Sequence, residues 1–198
     1  EVLYAEAGNN YDAVPWARLT PNPNLVDWAS QQSLTGTGKT AIVVGCGYGD
    51  DAEYLASFGF KVIAFDISPT AITVCQQRFP NSSVSYQVVD LFNAPQEWLR
   101  KFDLIFECYT LQALPNESRK NAIAIISQFL APSGQLLLIT RGRDESEPST
   151  STPPFALTQS ELKQFEDVGL RLLSFEDFLD NNNPPGRKFR MVYTLNQS

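Results

Sequence analysis

The chain has 198 residues, 43% hydrophobic and 12% aromatic, enough to build a full core, so a single domain spanning 1–198 is expected. A net charge of -7 argues against a phosphate-reading surface, because nonspecific nucleic-acid affinity comes mainly from Lys and Arg, and no nucleic-acid partner is expected. Histidine is absent, which removes the commonest general base and the commonest metal ligand, and the three cysteines show no C-x-x-C spacing, so neither a disulfide framework nor a metal site is suggested.

No run approaches the roughly 18 to 20 apolar residues of a membrane span, and nothing resembles a signal peptide. A reducing cytoplasm, no membrane partner and a monomer or weak homodimer are the expectations. The chain opens at Glu1 rather than Met, which leaves an upstream segment open.

From Thr40 onward apolar strands alternate with amphipathic helices, the signature of a doubly wound α/β fold with a mostly parallel sheet and helices on both faces. The first strand covers Thr40 to Gly45, and a helix from Asp50 to Phe58 stops at Gly59. Lys61 to Phe65 is the second strand, ended by Asp66. Ser68 caps the next helix with Pro69 at its first position, and Ile72 and Cys75 supply its buried stripe. Val84 to Val89 is the third strand, a short helix follows near Gln96 to Leu99, and Phe102 to Glu107 is the fourth. The helix from Asn116 to Leu130 places Ile123, Ile126 and Leu130 on one face. Pro132-Ser-Gly134 turns into a fifth strand, Gln135 to Thr140. The stretch Arg141 to Pro154 has no apolar period, and loops this long are often lids or binding segments. Thr158-x-x-Glu161 looks like a capping box opening the last helix. Leu170 to Phe178 and Phe189 to Leu195 are joined by a short polar link, so one strand near the C-terminus should run antiparallel.

The chemistry concentrates at strand ends. Gly45-Cys-Gly-Tyr-Gly49 sits between the first strand and a helix that begins with Asp50 and Asp51. A dinucleotide fingerprint wants its third glycine where Asp50 stands, and acids at a helix start oppose a pyrophosphate. S-adenosylmethionine, which carries a sulfonium and an ammonium against one carboxylate, tolerates them. Asp66 lies about 20 positions after Gly45, the spacing at which a carboxylate accepts hydrogen bonds from a ribose diol. Asp90, with the amides of Leu91 and Phe92, is placed to read an adenine edge. Glu107 and Cys108 end the fourth strand on the methionine side.

Here the chain resembles the class I S-adenosylmethionine-dependent methyltransferases. The resemblance rests on Val43-Val-Gly-Cys-Gly-Tyr-Gly49, Phe65-Asp-Ile-Ser68, Val89-Asp-Leu-Phe92, Phe102-Asp-Leu-Ile-Phe-Glu107 and Leu130-Ala-Pro-Ser-Gly134. It implies a seven-stranded, Rossmann-like methyltransferase fold with a core over 40–198. It also implies S-adenosylmethionine as cofactor and S-adenosylhomocysteine as product. The implied contacts are Gly45, Cys46, Gly47, Tyr48 and Gly49 at the methionine end, Asp66, Ile67 and Ser68 around the ribose, and Asp90, Leu91 and Phe92 at the adenine.

Tyr11-Asp-Ala-Val-Pro-Trp16, Pro21 to Trp28, Leu114-Pro-Asn-Glu-Ser-Arg119 and Pro153-Pro-Phe155 are similar to segments of the thiol and thiopurine S-methyltransferase branch. This implies an N-terminal cover over 1–35 and a small-molecule acceptor. Thiopurine methyltransferases carry an arginine after the acid of strand four, where this chain has Cys108 followed by Tyr109. That departure favours a smaller thiol, a hydrosulfide or a halide. Methyl transfer from a sulfonium is an in-line displacement for which orientation supplies much of the rate, and a soft nucleophile needs no strong base. Trp16, Tyr109, Arg141 and Phe155 are the acceptor candidates, with Tyr109 and Arg141 in the catalytic role and Trp16 also touching the cofactor. The alternatives are a methyltransferase acting on oxygen, nitrogen or carbon of another small metabolite, and a non-catalytic cofactor-binding module. An NAD-dependent oxidoreductase is disfavoured by the glycine spacing.

Overall fold

The computed structural model describes residues 4, 6, 19–182 and 184–196. Its strands are β1 (Thr40–Val44), β2 (Lys61–Asp66), β3 (Ser85–Val88), β4 (Phe102–Cys108), β5 (Leu130–Arg141), β6 (Leu170–Leu179) and β7 (Arg187–Leu195). They form a seven-stranded sheet in the order β3-β2-β1-β4-β5-β7-β6. The α-helices with both ends among the described residues are α1 (Pro23–Gln31), α2 (Asp50–Ser57), α3 (Pro69–Arg78), α4 (Asn116–Gln128) and two single turns, α5 (Gln159–Leu162) and α6 (Gln164–Asp167). β2 pairs in parallel with β1 and β3, and β4 with β5, whereas β7 runs antiparallel to β5 and β6. The reversal follows from the short β6–β7 link, which can join antiparallel strands but not parallel ones. Two compact units, Glu1–Ala94 and Pro95–Ser198, make up the chain.

In the first unit, β1 reads as an unbroken apolar run because Ala41, Ile42, Val43 and Val44 are all buried, as a strand covered on both faces requires. α3 is capped as the sequence predicts: Ser68 Oγ accepts the Ala71 amide proton at 3.0 Å, and Pro69 occupies the first turn. α1 has the same design, with Asn22 as cap and Pro23 next, although the sequence reading placed it only within a cover segment. The Asn22 amide donates to Asp51 Oδ1 at 2.6 Å, so the start of α1 is tied to the start of α2.

In the second unit, Trp98 is buried edge-on against Phe102 and Phe129, with ring centroids 6.3 and 5.7 Å away. The predicted short helix here is a 3-10 turn, Gln96–Trp98. Ile123 and Ile126 of α4 are buried as expected, but Leu130 already belongs to β5, opposite Phe102. The predicted turn at Pro132-Ser-Gly134 is an irregularity inside β5, across which the register passes from Phe102↔Leu130 to Leu104↔Gln135. A Cβ on Gly134 would stand 2.6 Å from the Phe102 carbonyl oxygen, so only glycine lets the two backbones come this close. The capping box forms as predicted, with Thr158 and Glu161 bonding each other's amides. The expected last helix divides into α5 and α6 at Lys163.

Candidate active site

The loop after β1 is shaped by glycine. Gly45, Gly47 and Gly49 have φ of 62°, 52° and 88°, a region that side chains with a Cβ rarely adopt. At Gly49 the space is also closed, because an added Cβ would lie 2.6 Å from the Tyr86 hydroxyl, itself held by Glu53 at 2.7 Å. The Gly47 amide donates to Asp66 Oδ2 at 3.0 Å, and the Ser68 amide donates to Asp66 Oδ1 at 3.0 Å. One carboxylate therefore joins the glycine loop to the start of α3. Burial raises the Asp66 carboxyl above its ordinary range, and the amides of Ser68 and Gly47 pull it back down.

The walls of this loop come from several elements of the first unit. Tyr48 packs edge-on against Tyr4, with ring centroids 5.2 Å apart, and the Tyr4 hydroxyl lies 3.2 Å from where a Cβ on Gly47 would stand. Cys75 Sγ donates to the Gly47 carbonyl at 3.1 Å. Hydrogen bonding to Cys75, then burial, pushes the Cys46 thiol well above its ordinary value, so it stays protonated. The acids at the start of α2 have fold-building partners: Arg78 grips both oxygens of Asp50 at 2.8 and 2.7 Å and also donates to Tyr48 O at 2.6 Å. Because Arg78 balances Asp50, the case against a pyrophosphate rests more on glycine spacing than on charge. Ser68 serves as helix cap. Ile67 and Phe92 stay 65% and 38% exposed, leaving apolar surface open next to Asp66 and Asp90. Asp90 Oδ1 accepts the Phe92 amide proton at 3.0 Å, Oδ2 accepts from Asn93 Nδ2 at 2.8 Å, and Leu91 is buried.

In the second unit, Glu107 is fully buried near the end of β4. Its Oε1 accepts the amide protons of Thr110 and Leu111 at 2.7 and 2.9 Å, and its Oε2 has no hydrogen-bond partner among the described residues. Burial pushes its carboxyl up to about 7, against the opposing pull of those two amides. Cys108 is partly exposed. Tyr109 adopts a left-handed conformation, φ 68°, and its amide donates to Ile139 O at 3.1 Å. Lys188 Nζ lies 6.0 Å from the centre of the Tyr109 ring and pairs with Asp180 at 3.0 Å. Arg141 ends β5 opposite Lys188.

Gln112 connects two of the acceptor candidates. Its Oε1 accepts from the Arg141 amide at 2.8 Å and from Thr140 Oγ1 at 3.2 Å, and its main-chain oxygen accepts the Phe155 amide proton at 2.7 Å. Behind Phe155, Arg119 is 5.9 Å from the ring centre and is held by Glu161 at 2.7 Å. The 114–119 segment and the Thr158/Glu161 motif, singled out separately in the sequence, are thus joined by one ion pair.

Within the first unit, Asp66 connects the glycine loop to Ser68. Within the second, Gln112 links Arg141 to Phe155, and Lys188 sits over Tyr109. Trp16 lies outside the described residues. Sequence reasoning passed over Tyr4, Arg78, Gln112 and Lys188. Lys188 had a faint signal, one of three cations (Arg187, Lys188 and Arg190) at the start of the last strand, but Gln112 carries none, because its role depends on segments that meet only in the fold.

The loop, the strand order and the acids at strand ends define an S-adenosylmethionine-dependent methyltransferase of the Rossmann-like kind. The profile described as Thiopurine S-methyltransferase (TPMT) matches residues 9–196, and the chain belongs to that family. It is 25% identical to a thiopurine S-methyltransferase of Francisella tularensis subsp. novicida, with 89% of this chain and 84% of the relative covered. It is 31% identical to a protein of Arabidopsis thaliana named probable thiol methyltransferase 2, over 83% of this chain and 72% of that one. Among solved structures, the fold is similar to that of a Burkholderia thailandensis 1,6-didemethyltoxoflavin-N1-methyltransferase bound to S-adenosylhomocysteine. The TM-score is 0.77 at 15% identity, covering 99% of this chain and 88% of that one.

The residues fit the cofactor. Within the first unit, a glycine cradle that a Cβ would fill, a buried carboxylate after β2, and exposed Ile67 and Phe92 suit an adenosine joined to an amino acid. Among the described residues no helix is long and apolar enough to cross a membrane.

Proposed function

We propose that the chain methylates a small soft nucleophile: a thiol, a hydrosulfide, a thiopurine or a halide. S-adenosylmethionine supplies a methyl group carried on a positively charged sulfur. The chain's own residues bind, orient and shield. The loop of Gly45, Cys46, Gly47, Tyr48 and Gly49 receives the methionine end, and Asp66, Ile67 and Ser68 shape the ribose site. Asp90, Leu91 and Phe92 contact the adenine, and Glu107, Cys108 and Trp16 complete the cofactor contacts. Tyr109, Arg141, Phe155 and Trp16 face the acceptor, with Tyr109 and Arg141 positioning the nucleophile. The chain works as one methyltransferase domain in the cytoplasm.

The observation that carries this reading is the character of the acceptor side: a tyrosine beneath the Lys188 ammonium and an arginine at the end of β5, in a chain without histidine. A cationic side chain at the end of β5 suits an anionic, polarisable nucleophile, which needs orientation rather than deprotonation. The relatives named as thiopurine and thiol methyltransferases support the same reading.

The test is formation of S-adenosylhomocysteine with hydrosulfide, an aromatic thiol, a thiopurine, iodide and a catechol in parallel. Turnover confined to sulfur and halide acceptors is the expected result. Turnover of the catechol alone would overturn the soft-nucleophile reading, and cofactor binding without turnover across a broad acceptor panel would favour a non-catalytic module.

A further inference from the structure

Gly47 is held by both of its polar groups. Its amide donates to Asp66 Oδ2 at 3.0 Å, and its carbonyl oxygen accepts from Cys75 Sγ, on α3, at 3.1 Å. The same oxygen lies 3.9 Å from Cys46 Sγ, in the loop itself. Two thiols from separate segments of the first unit therefore converge on one oxygen, and they hydrogen-bond to each other.

The two sulfurs differ in access. Cys75 is buried whereas Cys46 is partly exposed, so a small reagent meets Cys46 first. The backbone around Cys46 has little slack. Its amide donates to Phe65 O at 2.9 Å, its carbonyl accepts the Gly49 amide proton at 3.0 Å, and the glycines on either side take positive φ. A displacement of the Cys46 side chain is thus passed to the loop rather than absorbed locally.

We propose that Cys46 and Cys75 are a redox-modification site, which hydrogen peroxide closes into a disulfide, and that closure spoils the glycine loop as a cradle for the methyl donor. The bond follows from the two thiols alone; its effect on the donor rests on the donor assigned above. In the first step the deprotonated Cys46 sulfur attacks one peroxide oxygen. An S–O bond forms and the O–O bond breaks, leaving a sulfenic acid and a hydroxide that takes up a proton to become water. In the second step the Cys75 sulfur attacks the Cys46 sulfur, the S–S bond forms, the S–O bond breaks, and the departing hydroxide leaves with the Cys75 proton as a second water. Two thiols give up two electrons and two protons, and one peroxide is reduced to two waters. Hydrogen bonding to Cys75, then burial, keeps Cys46 protonated, so the first step is slow at neutral pH and calls for sustained exposure rather than a pulse.

Closure disturbs the loop in two ways. The Cys75 S–H is consumed, so the Gly47 carbonyl loses its donor, and the sulfurs are drawn inside van der Waals contact, which pulls Cys46 toward α3. Donor affinity is expected to fall at least roughly tenfold, the effect of one unpaired polar group.

The test uses the full chain, hydrogen peroxide and S-adenosylhomocysteine. Cleavage after Lys and Arg separates Cys46 (40–61), Cys75 (62–78) and Cys108 (102–119), so a peptide map without reductant identifies the bond. After sustained peroxide the map should show 40–61 joined to 62–78, and the intact mass should fall by two hydrogens. Calorimetry should show the drop in S-adenosylhomocysteine affinity, and a thiol reductant should restore both mass and affinity. Cys75→Ser keeps a hydroxyl to donate to Gly47 but cannot form the bond, so whatever its starting affinity, peroxide should leave it unchanged.

A bond to 102–119 instead, or oxygen added to Cys46 with no cross-link, would overturn the pairing. A cross-link that leaves affinity untouched would overturn the effect on the loop, and a peroxide-induced loss that persists in Cys75→Ser would show that the disulfide is not its cause. Failure of the reduced wild type to bind S-adenosylhomocysteine would instead strike the donor assignment, while the peptide map would still decide the bond. The wild-type map and titration stand even if the variant does not fold.

Discussion

The carboxylate of Asp66 accepts the amide proton of Gly47 across 3.0 Å, while its second oxygen takes that of Ser68. The residue that ends β2 is thus a brace as well as a ligand candidate. It holds the glycine loop in shape and fixes the first turn of α3, and its remaining lone pairs can still face a ribose.

Asp66→Ala should leave both amides without their acceptor. An unpaired buried polar group costs about 1–3 kcal/mol, so a lower melting temperature and a loss of S-adenosylhomocysteine affinity of at least roughly tenfold are expected together. Asp66→Asn keeps one acceptor and should fall between the two. Unchanged affinity in Asp66→Ala would take Asp66 out of the donor site.

Gly49→Ala forces an alanine into a left-handed conformation and against Tyr86. The conformational part alone is about 1–2 kcal/mol. In urea unfolding the loss should exceed that range in the wild-type background and shrink toward it when Tyr86 is also replaced by alanine. Equal losses in both backgrounds would show that Tyr86 does not limit the space at Gly49.

Glu161→Gln removes the charge that pairs with Arg119, whose side chain is 3% exposed, and with Arg143. Breaking a buried pair on one side costs about 3–5 kcal/mol, and the lower end is expected because Arg119 keeps the Leu111 and Leu114 carbonyls. Chemical denaturation should report the loss, and replacing both Arg119 and Glu161 with apolar residues should recover part of it.

The ligand-free protein should lose stability as pH rises through the Glu107 titration. Its carboxyl sits at about 7 in the fold against an ordinary 4.5, so between those values the folded state holds more protons than the unfolded state. Stability from this group is complete below pH 4.5 and lost by about pH 7, an effect on the order of 3 kcal/mol. Melting curves of wild type and Glu107→Gln across this range should converge at low pH and separate at high pH, with the variant melting higher above neutrality. Parallel curves would contradict it.

Much of the scaffold was legible in the sequence because its signals are local. The Ser68-Pro69 cap, the Thr158/Glu161 box and the apolar run of β1 each depend on neighbours within a few residues. The antiparallel β7 followed from the shortness of its connection to β6. The helix after Pro23 had the same cap signal as α3 but lay in a stretch judged by family likeness rather than by its own residues. The irregular passage through Ala131 to Gly134 looked like a turn because Pro-Ser-Gly is turn chemistry, and only pairing with β4 makes it part of a strand. Asp66, Glu107 and the glycines were singled out by position along the chain. What they bond to was not legible, because Gly47, Ser68 and Leu111 become their partners only once strands and loops have folded together.

Gln112 holds the segment between Arg141 and Phe155 at both of its ends, through its side chain at one and its main chain at the other. Anchored so, the intervening residues form a closed excursion whose length has little leverage on the rest of the unit, since the entropy of closing a loop grows only with the logarithm of its length. Insertions, deletions or wholesale exchange within it should leave β5 and the capping box undisturbed. Different acceptors in descendants of such a scaffold are then reachable by editing one excursion, with Gln112 as the residue that must stay.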